Sequence, residues 1–308
     1  MKIFTSIDSL PTFNNPIITI GTFDGVHLGH QKILKRLKDL ATESNGETIL
    51  LTFHPHPRKV IGSASQLFML NTIAEKTALL AENGLDNLVM IPFSKEFSEL
   101  SPTDYIKHIL VEKFHPKTIV IGYDHKFGKD RQGDFHLLES VKEKYHFDLV
   151  EITQEMLEDI SISSTKIRNA LNEGKIKEAN ELLGYRYPLT GIVVKGLQNG
   201  RKLGYPTANI SIADSEKLIP KNGIYAAFVY YEGKKYNGLL NIGFNPTFNA
   251  QKQTIEVNIV DFDKEIYGEE LTVELVRYIR PEKKFDSLLD LIAAIDKDKE
   301  AILAILQA

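Results

Sequence analysis

At 308 residues the chain is long enough for two domains of ordinary size, each with its own core. A hydrophobic content of 43% beside 25% charged residues excludes a disordered or low-complexity chain. A formal net charge of -4 offers no general attraction to nucleic acid or anionic membranes, and the absence of cysteine excludes disulfides, thiolate nucleophiles and cysteine-bound zinc.

The first half alternates strand and helix patterns. Residues 16–20 form a short β-branched run, and residues 31–40 carry apolar side chains at helical spacing. Strands follow at 47–53, 87–92, 118–122 and 147–152, with helices at 74–83, ended by Gly84, and at 105–113. Continuous apolar strands separated by helices predict a parallel, Rossmann-like α/β sheet. Two short helices, 164–172 and 176–183, come next. After Gly184 the texture changes to short strands at 189–194, 224–231, 235–242, 254–260 and 271–276, separated by turns such as Glu232-Gly233. That pattern predicts an antiparallel barrel or sandwich, closed by an amphipathic helix over 285–306. The expected domains are therefore 1–183 and 184–308. No apolar run approaches the roughly 20 residues needed to span a bilayer, and Met1 to Asp8 lacks the apolar core of a secretory signal. A cytoplasmic enzyme is expected.

The segment Gly21-Thr-Phe23-Asp-Gly-Val-His27-Leu-Gly29-His30 leads from the first strand into the first helix. In an open parallel sheet, ligands gather at the carboxyl ends of the strands, and a helix N-terminus offers free N–H groups to phosphate. Spaced three apart, His27 and His30 would project from one face of a helical turn, with Gly29 leaving room for a bulky anion. Two imidazoles on one face can donate hydrogen bonds to a phosphoryl group as charge builds. The plainer alternative is a pair of surface histidines near a helix start. Zinc is another, but His-x-x-His supplies two ligands where catalytic zinc usually takes three, and the prolines of His54-Pro-His56-Pro57 suggest a rigid loop. Farther on, Ser163 or Ser164 is a candidate N-cap, and Ser164 and Arg168 stack a hydroxyl over a guanidinium suited to phosphate. Simple capping with a solvated basic face is the alternative there.

In the second half, Lys195 to Gly204 is a loop with glycines and cations, including Gly196, Gly200 and Lys202, which could wrap a polyphosphate. Thr207 and Asn209 share one face of an extended segment and are hard oxygen donors of the kind Mg2+ accepts. An exposed hairpin is the bland reading. All 9 histidines lie between His27 and His146, so proton transfer in this half must use another group. Strand alternation sets Glu256 and Asn258 opposite Ile255, Val257 and Ile259, making Glu256 the leading candidate base; a solvated strand glutamate is the alternative.

These segments carry a resemblance. The Gly21 to His30 motif, with Thr52-Phe-His-Pro-His-Pro57, Gly122-Tyr-Asp-His-Lys-Phe-Gly128 and Ile162-Ser-Ser-Thr-Lys-Ile-Arg168, resembles the adenylyltransferase half of the prokaryotic bifunctional riboflavin kinase/FMN adenylyltransferases (FAD synthetases). The resemblance implies that His27 and His30 stabilise the transition state at the α-phosphate of ATP, with Gly21, Phe23 and Gly29 lining the ATP site. It implies that Ser164, Thr165 and Arg168 hold pyrophosphate, and that Tyr105, Asp124 and Phe127 line a flavin pocket. Leu203-Gly-Tyr-Pro-Thr-Ala-Asn209, Asn222-Gly-Ile-Tyr225, Asn241-Ile-Gly-Phe-Asn-Pro-Thr247, Ile255-Glu256 and Arg280-Pro-Glu-Lys-Lys-Phe285 are similar to riboflavin kinase. That similarity implies a six-stranded Greek-key barrel, Mg2+-ATP at Thr207 and Asn209, and Glu256 as base.

The expected substrates are ATP, riboflavin and FMN, and FAD the product, with Mg2+ as cofactor. No nucleic-acid or membrane partner is expected, and an oligomer is compatible with the sequence. The rival readings are a different nucleotidylyltransferase fused to an unrelated barrel, a flavin-binding regulator, and a nucleotide-sensing or RNA-binding protein. The lack of a basic patch argues against RNA.

Overall fold

Six parallel strands build the first half: β1 (Lys2–Phe4), β2 (Ile17–Ile20), β3 (Thr48–His54), β4 (Asn87–Pro92), β5 (Thr118–Gly122) and β6 (Asp148–Ile152), in the order β1-β4-β3-β2-β5-β6. They come from a computed structural model that describes residues 1–62, 67–153, 162–196, 200, 204–245 and 252–307. Alternate side chains of β2 feed the two faces of the sheet. Ile18 and Ile20 join Tyr105, Ile109 and Phe114 on one side, while Ile17 packs with Leu37 and Ala41 of the Leu28–Ser44 helix on the other. Thr19, buried between them, donates its hydroxyl to the Val120 carbonyl at 2.8 Å, which satisfies the polar group that alternation brings inside.

The strand order reverses at β2, which pairs with β3 on one side and β5 on the other. The carboxyl end of β2 is thus a topological switch point, where doubly wound sheets leave a crevice. Gly21 to His27 leaves β2 there, and the Tyr123 to Gly128 turn leaves the neighbouring β5.

The second half is a closed barrel of β7 (Pro188–Val194), β8 (Ala208–Ser211), β9 (Gly223–Tyr231), β10 (Lys234–Asn245), β11 (Lys252–Ile259) and β12 (Glu270–Arg280), ordered β10-β11-β8-β7-β12-β9 with antiparallel pairing throughout. Leu240, Val257, Val273 and Leu275 are fully buried. Gly238 on β10 is required by packing: a Cβ there would meet the Val229 side chain at 2.6 Å and Val257 at 3.0 Å. The Leu288–Gln307 helix covers Ala226 and Leu239 with Ile302. Arg280 of β12 grips the buried Asp298 of that helix, with Nε at 3.0 and 3.1 Å and an Nη at 2.7 Å from the carboxylate oxygens.

By contacts the chain divides into Met1–Ser163 and Ser164–Ala308. The sequence reading places its boundary at 183/184. The helices Ser164–Glu173 and Ile176–Leu183 group with the barrel because they satisfy its backbone. Asn180 donates to the Leu275 carbonyl at 2.8 Å and accepts from the Tyr187 amide at 2.9 Å, and the Leu171 carbonyl accepts from the Lys221 amide at 3.1 Å.

Several elements depart from the sequence expectation, the unexpected β1 (Lys2–Phe4) among them. The sixth barrel strand, β8, has only four residues and no alternation long enough to read. The Phe135–Tyr145 helix, capped by Asp134, was not expected. The expected 105–113 helix opens into a π-helix over Tyr105–Val111, a geometry that periodicity at 3.6 residues does not distinguish.

Candidate active sites

In the first unit, the Gly21 to His30 segment is a sharply folded loop. Phe23 and Val26 take positive φ values of 46° and 35°, a costly conformation for side-chain-bearing residues, and Gly25 takes 89°. This folding turns the Phe23 ring back toward the helix start. His27 is the N-cap of the Leu28–Ser44 helix, in extended conformation, with its Nδ1 accepting from the His30 amide at 3.4 Å. The two histidines lie side by side, but His27 stands just outside the helix and the rings stack face to face, 3.7 Å apart and 16° from parallel. His30 in turn stacks on Phe23 at 4.4 Å. Gly29 passes over the His27 ring, and a Cβ there would lie 3.3 Å from it. A Cβ at Gly21 would meet the Phe23 ring at 2.9 Å, so the loop needs glycine at this position.

Burial controls the charge of the pair. Removed from water, the His27 ring has its pKa lowered to about 4. His30 is held well below the usual histidine value by burial first, and then by His27 and Lys76. Both imidazoles are therefore neutral at pH 7. Since Nδ1 of His27 accepts, the proton of its neutral ring sits on Nε2, leaving that edge as a donor. His30 Nδ1 is buried without a hydrogen-bond partner.

At the carboxyl edge of the same sheet, aromatic rings touch in series. Phe53 packs on Phe93 and Phe97 at 5.5 and 5.8 Å, Phe97 meets Tyr105 edge-on at 6.0 Å, and Tyr105 lies 5.4 Å from Phe127. Tyr105 and Phe127 are core residues, and Gly133 leaves the space that the Phe127 ring fills. The Tyr105 hydroxyl is buried and unpartnered, and burial raises its pKa. Asp124 is exposed in the turn after β5. Phe53, Phe93, Phe97 and Lys76 were not singled out by the sequence reading. The three phenylalanines lie on or beside strand ends, but only the sheet order brings them together.

Ser164, Thr165 and Arg168 stand in the first turns of the helix that opens the second unit, Thr165 exposed and the other two half-buried. Ile167, Ala170 and Leu171 form the buried face of that helix.

In the barrel, β8 pairs with β11 so that Asn209 lies opposite Glu256, and β10 places Asn241 opposite Glu256 from the other side. The three side chains thus share one face. The Thr207 hydroxyl donates to Glu256 Oε2 at 3.3 Å, and Asn258 donates to the Pro206 carbonyl at 2.7 Å, fixing the approach of the Thr207 segment. Asn241 Oδ1 is buried and unpartnered. As expected, Ile255, Val257 and Ile259 are buried while Glu256 and Asn258 are half-buried. Gly196 lies against the Asn209 amide with no space for a Cβ. Gly200 accepts at its carbonyl from the Tyr205 amide at 2.9 Å, and the Tyr205 hydroxyl donates to Asp296 of the Leu288–Gln307 helix. Lys202 falls outside the described residues. A cavity of about 300 Å³ opens beside Thr207, walled by Val193, Val257, Ile259, Phe262 and Tyr267.

Two protein families match the chain in series. The FAD synthetase family matches residues 10–166 and the riboflavin kinase family residues 183–306. A bifunctional riboflavin kinase/FMN adenylyltransferase of Listeria monocytogenes is 38% identical over 288 residues, covering 93% of this chain and 91% of its own. The protein of that description from Buchnera aphidicola subsp. Schizaphis graminum is 39% identical over 308 residues, covering 98% of each chain. Among solved structures, a Streptococcus pneumoniae chain described as a macrolide-efflux protein superposes with a TM-score of 0.87 at 30% identity, with 97% of both chains covered. Among the described residues, no helix of the present chain is long and apolar enough to cross a membrane. Full-length similarity to these relatives, with both domain families present in sequence order, means that the chain belongs to the bifunctional riboflavin kinase/FMN adenylyltransferase family.

Proposed function

We propose that the chain makes FAD from riboflavin in two ATP-dependent steps, one in each unit, as a cytoplasmic enzyme. The observation that carries this reading is that each unit holds a separate constellation, stacked neutral imidazoles in one and the Thr207–Glu256 pair in the other.

In the barrel, the Glu256 carboxylate orients the ribityl hydroxyl of riboflavin and takes its proton as the oxygen attacks the γ-phosphorus of ATP. The bond from the γ-phosphorus to its bridging oxygen breaks, and ADP leaves with FMN as the product. Thr207 and Asn209 present a hydroxyl and an amide oxygen on the face of Glu256, a donor set that fits Mg2+; the ion, when bound, neutralises phosphate charge. Gly196 and Gly200 let backbone approach the nucleotide, with Lys202 as a cation of the same loop, and the cavity beside Thr207 receives a flat ring of a substrate.

In the first unit, a phosphate oxygen of FMN attacks the α-phosphorus of a second ATP, the α–β bridge breaks, and pyrophosphate leaves. The nucleophile is already ionised, so no base is needed, and catalysis comes from positioning and from donors aimed at the developing charge. His27 Nε2–H is the leading donor, with His30 stacked behind it. Gly21, Phe23 and Gly29 shape the ATP side, and Asp124 with Phe53, Phe93 and Phe97 forms the flavin side, backed by the buried Tyr105 and Phe127.

Incubating the protein with riboflavin and Mg2+-ATP and separating the flavins tests this reading. FMN should appear first and FAD later. Unchanged riboflavin overturns the kinase assignment, and FMN that never becomes FAD overturns the transferase assignment.

A further inference from the structure

We infer that Lys76 is a positioning residue of the adenylyl-transfer site, a cation stationed beside the imidazole pair to offset the charge of the incoming polyphosphate. The inference rests on the reading of Gly21 to His30 as that site.

Lys76 lies in the Ile73–Glu82 helix, just beyond a capping box in which Thr72 and Glu75 hold each other's backbone amides at 3.1 and 2.9 Å. The capped helix carries the side chain to the carboxyl edge of the sheet. There its Nζ is 3.4 Å from the Thr22 carbonyl and 3.4 Å from Thr52 Oγ1. Thr52 also donates to the Thr22 carbonyl at 3.2 Å, so all three groups converge on the loop between Gly21 and Phe23. Both lysine contacts are longer than an ordinary N–H···O bond. Among the described residues, no carboxylate lies within ion-pair distance of this ammonium. The one acid whose field acts on it, Asp24, is itself buried and accepts from the Leu70 amide at 2.9 Å.

Lys76 is half-buried, and partial withdrawal from water lowers its pKa from the ordinary lysine value, with Asp24 acting the other way. Holding an ammonium there with so little direct compensation costs stability. A residue held at such a cost is explained by work on a ligand better than by folding. The imidazoles show what work is missing. Both are neutral, so they can hydrogen-bond a phosphate but cannot balance its charge. Lys76 is close enough for its charge to act on His30, and it binds the carbonyl that leads into Phe23, the ring on which His30 stacks. It therefore brings a positive charge beside the stack and holds the backbone carbonyl that leads into Phe23.

The test uses the full chain carrying Lys76→Met, with FAD formation from FMN, FMN formation from riboflavin and thermal unfolding measured side by side. The expected result is a loss of roughly a hundredfold in kcat/KM for FAD formation, with the ATP KM raised more than the FMN KM. Riboflavin phosphorylation should stay within about twofold, and the melting temperature of the first unit should hold or rise, because a half-buried and poorly compensated charge has been removed. Lys76→Arg should recover part of the lost activity. FAD formation within about threefold of the parent overturns the inference. So does a lowered melting temperature or an insoluble chain, because either makes Lys76 a structural residue. His27→Ala serves as the companion variant. Intact FAD formation in it removes the site reading itself, whereas its loss alongside an active Lys76→Met removes only the role of Lys76.

Discussion

The Thr207 hydroxyl donates to the Glu256 carboxylate across 3.3 Å from a position 49 residues earlier in the chain. The β8–β11 pairing that sets Asn209 opposite Glu256 makes this meeting unavoidable. Asn209 and Glu256 thus stand on paired strands of one sheet, with Thr207 one residue before β8.

Glu256→Gln keeps the shape of that side chain and removes its ability to accept a proton. Riboflavin phosphorylation should fall at least about a hundredfold, while FAD formation from supplied FMN should be unchanged. Separate initial-rate assays of the two steps check this, and an undiminished kinase rate removes Glu256 from its role.

His27→Ala should act in the opposite sense. It removes the Nε2–H donor, the N-cap contact to His30 and one member of the ring stack. FAD formation should drop roughly a hundredfold or more, with riboflavin phosphorylation close to the parent rate. Equal loss of both activities would contradict two independent sites.

Acid should weaken the first unit before carboxylate protonation matters. Burial lowers the pKa of both His27 and His125 from 6.5 to about 4. Below about pH 6.5 the unfolded chain takes up protons at these rings and the folded chain does not. Stability is therefore full above pH 6.5, is lost steadily as the pH falls toward 4, and levels off below it. For His27 alone the loss amounts to about 3 kcal/mol. Urea unfolding of the first unit at pH 7.5, 5.5 and 4.5 measures it, and His125→Gln should flatten the slope. A stability constant across that window is the contrary result.

Truncation should separate two possible starts for a kinase fragment. One beginning at Ser164 keeps the Asn180 contacts to Leu275 and Tyr187 and the Leu171 contact to Lys221. One beginning at Gly184 strands those backbone groups. Both should phosphorylate riboflavin, but the longer should melt several degrees higher. Matching melting temperatures would show that the two helices add nothing to the barrel.

Much of this was legible in the order of residues. The β-branched run at β2, the strands at β3 to β5 and the turn to antiparallel strands after Gly184 follow from side-chain periodicity, which is local. Alternation also separates Glu256 from Ile255 and Val257 whatever the partner strands are, but its candidacy as base rests on the resemblance to riboflavin kinase. The short β8 and the π-helix at Tyr105 escaped because neither leaves a distinct local period.

What tertiary structure alone decided is which distant groups meet and what charge they carry. The histidine spacing suggested two donors on one face of a helical turn. The folded loop makes them a stack on Phe23, with His27 outside the helix. Their neutrality follows from burial, which depends on every neighbour and is written in no motif. Lys76 shows this most plainly. In the sequence it is one basic residue among many on a capped helix, and only the packing of that helix at the carboxyl edge of the sheet sets its ammonium beside Thr22 and Thr52. Local periodicity specifies elements because it needs only neighbours along the chain; electrostatics specifies sites only after the fold has excluded water from them.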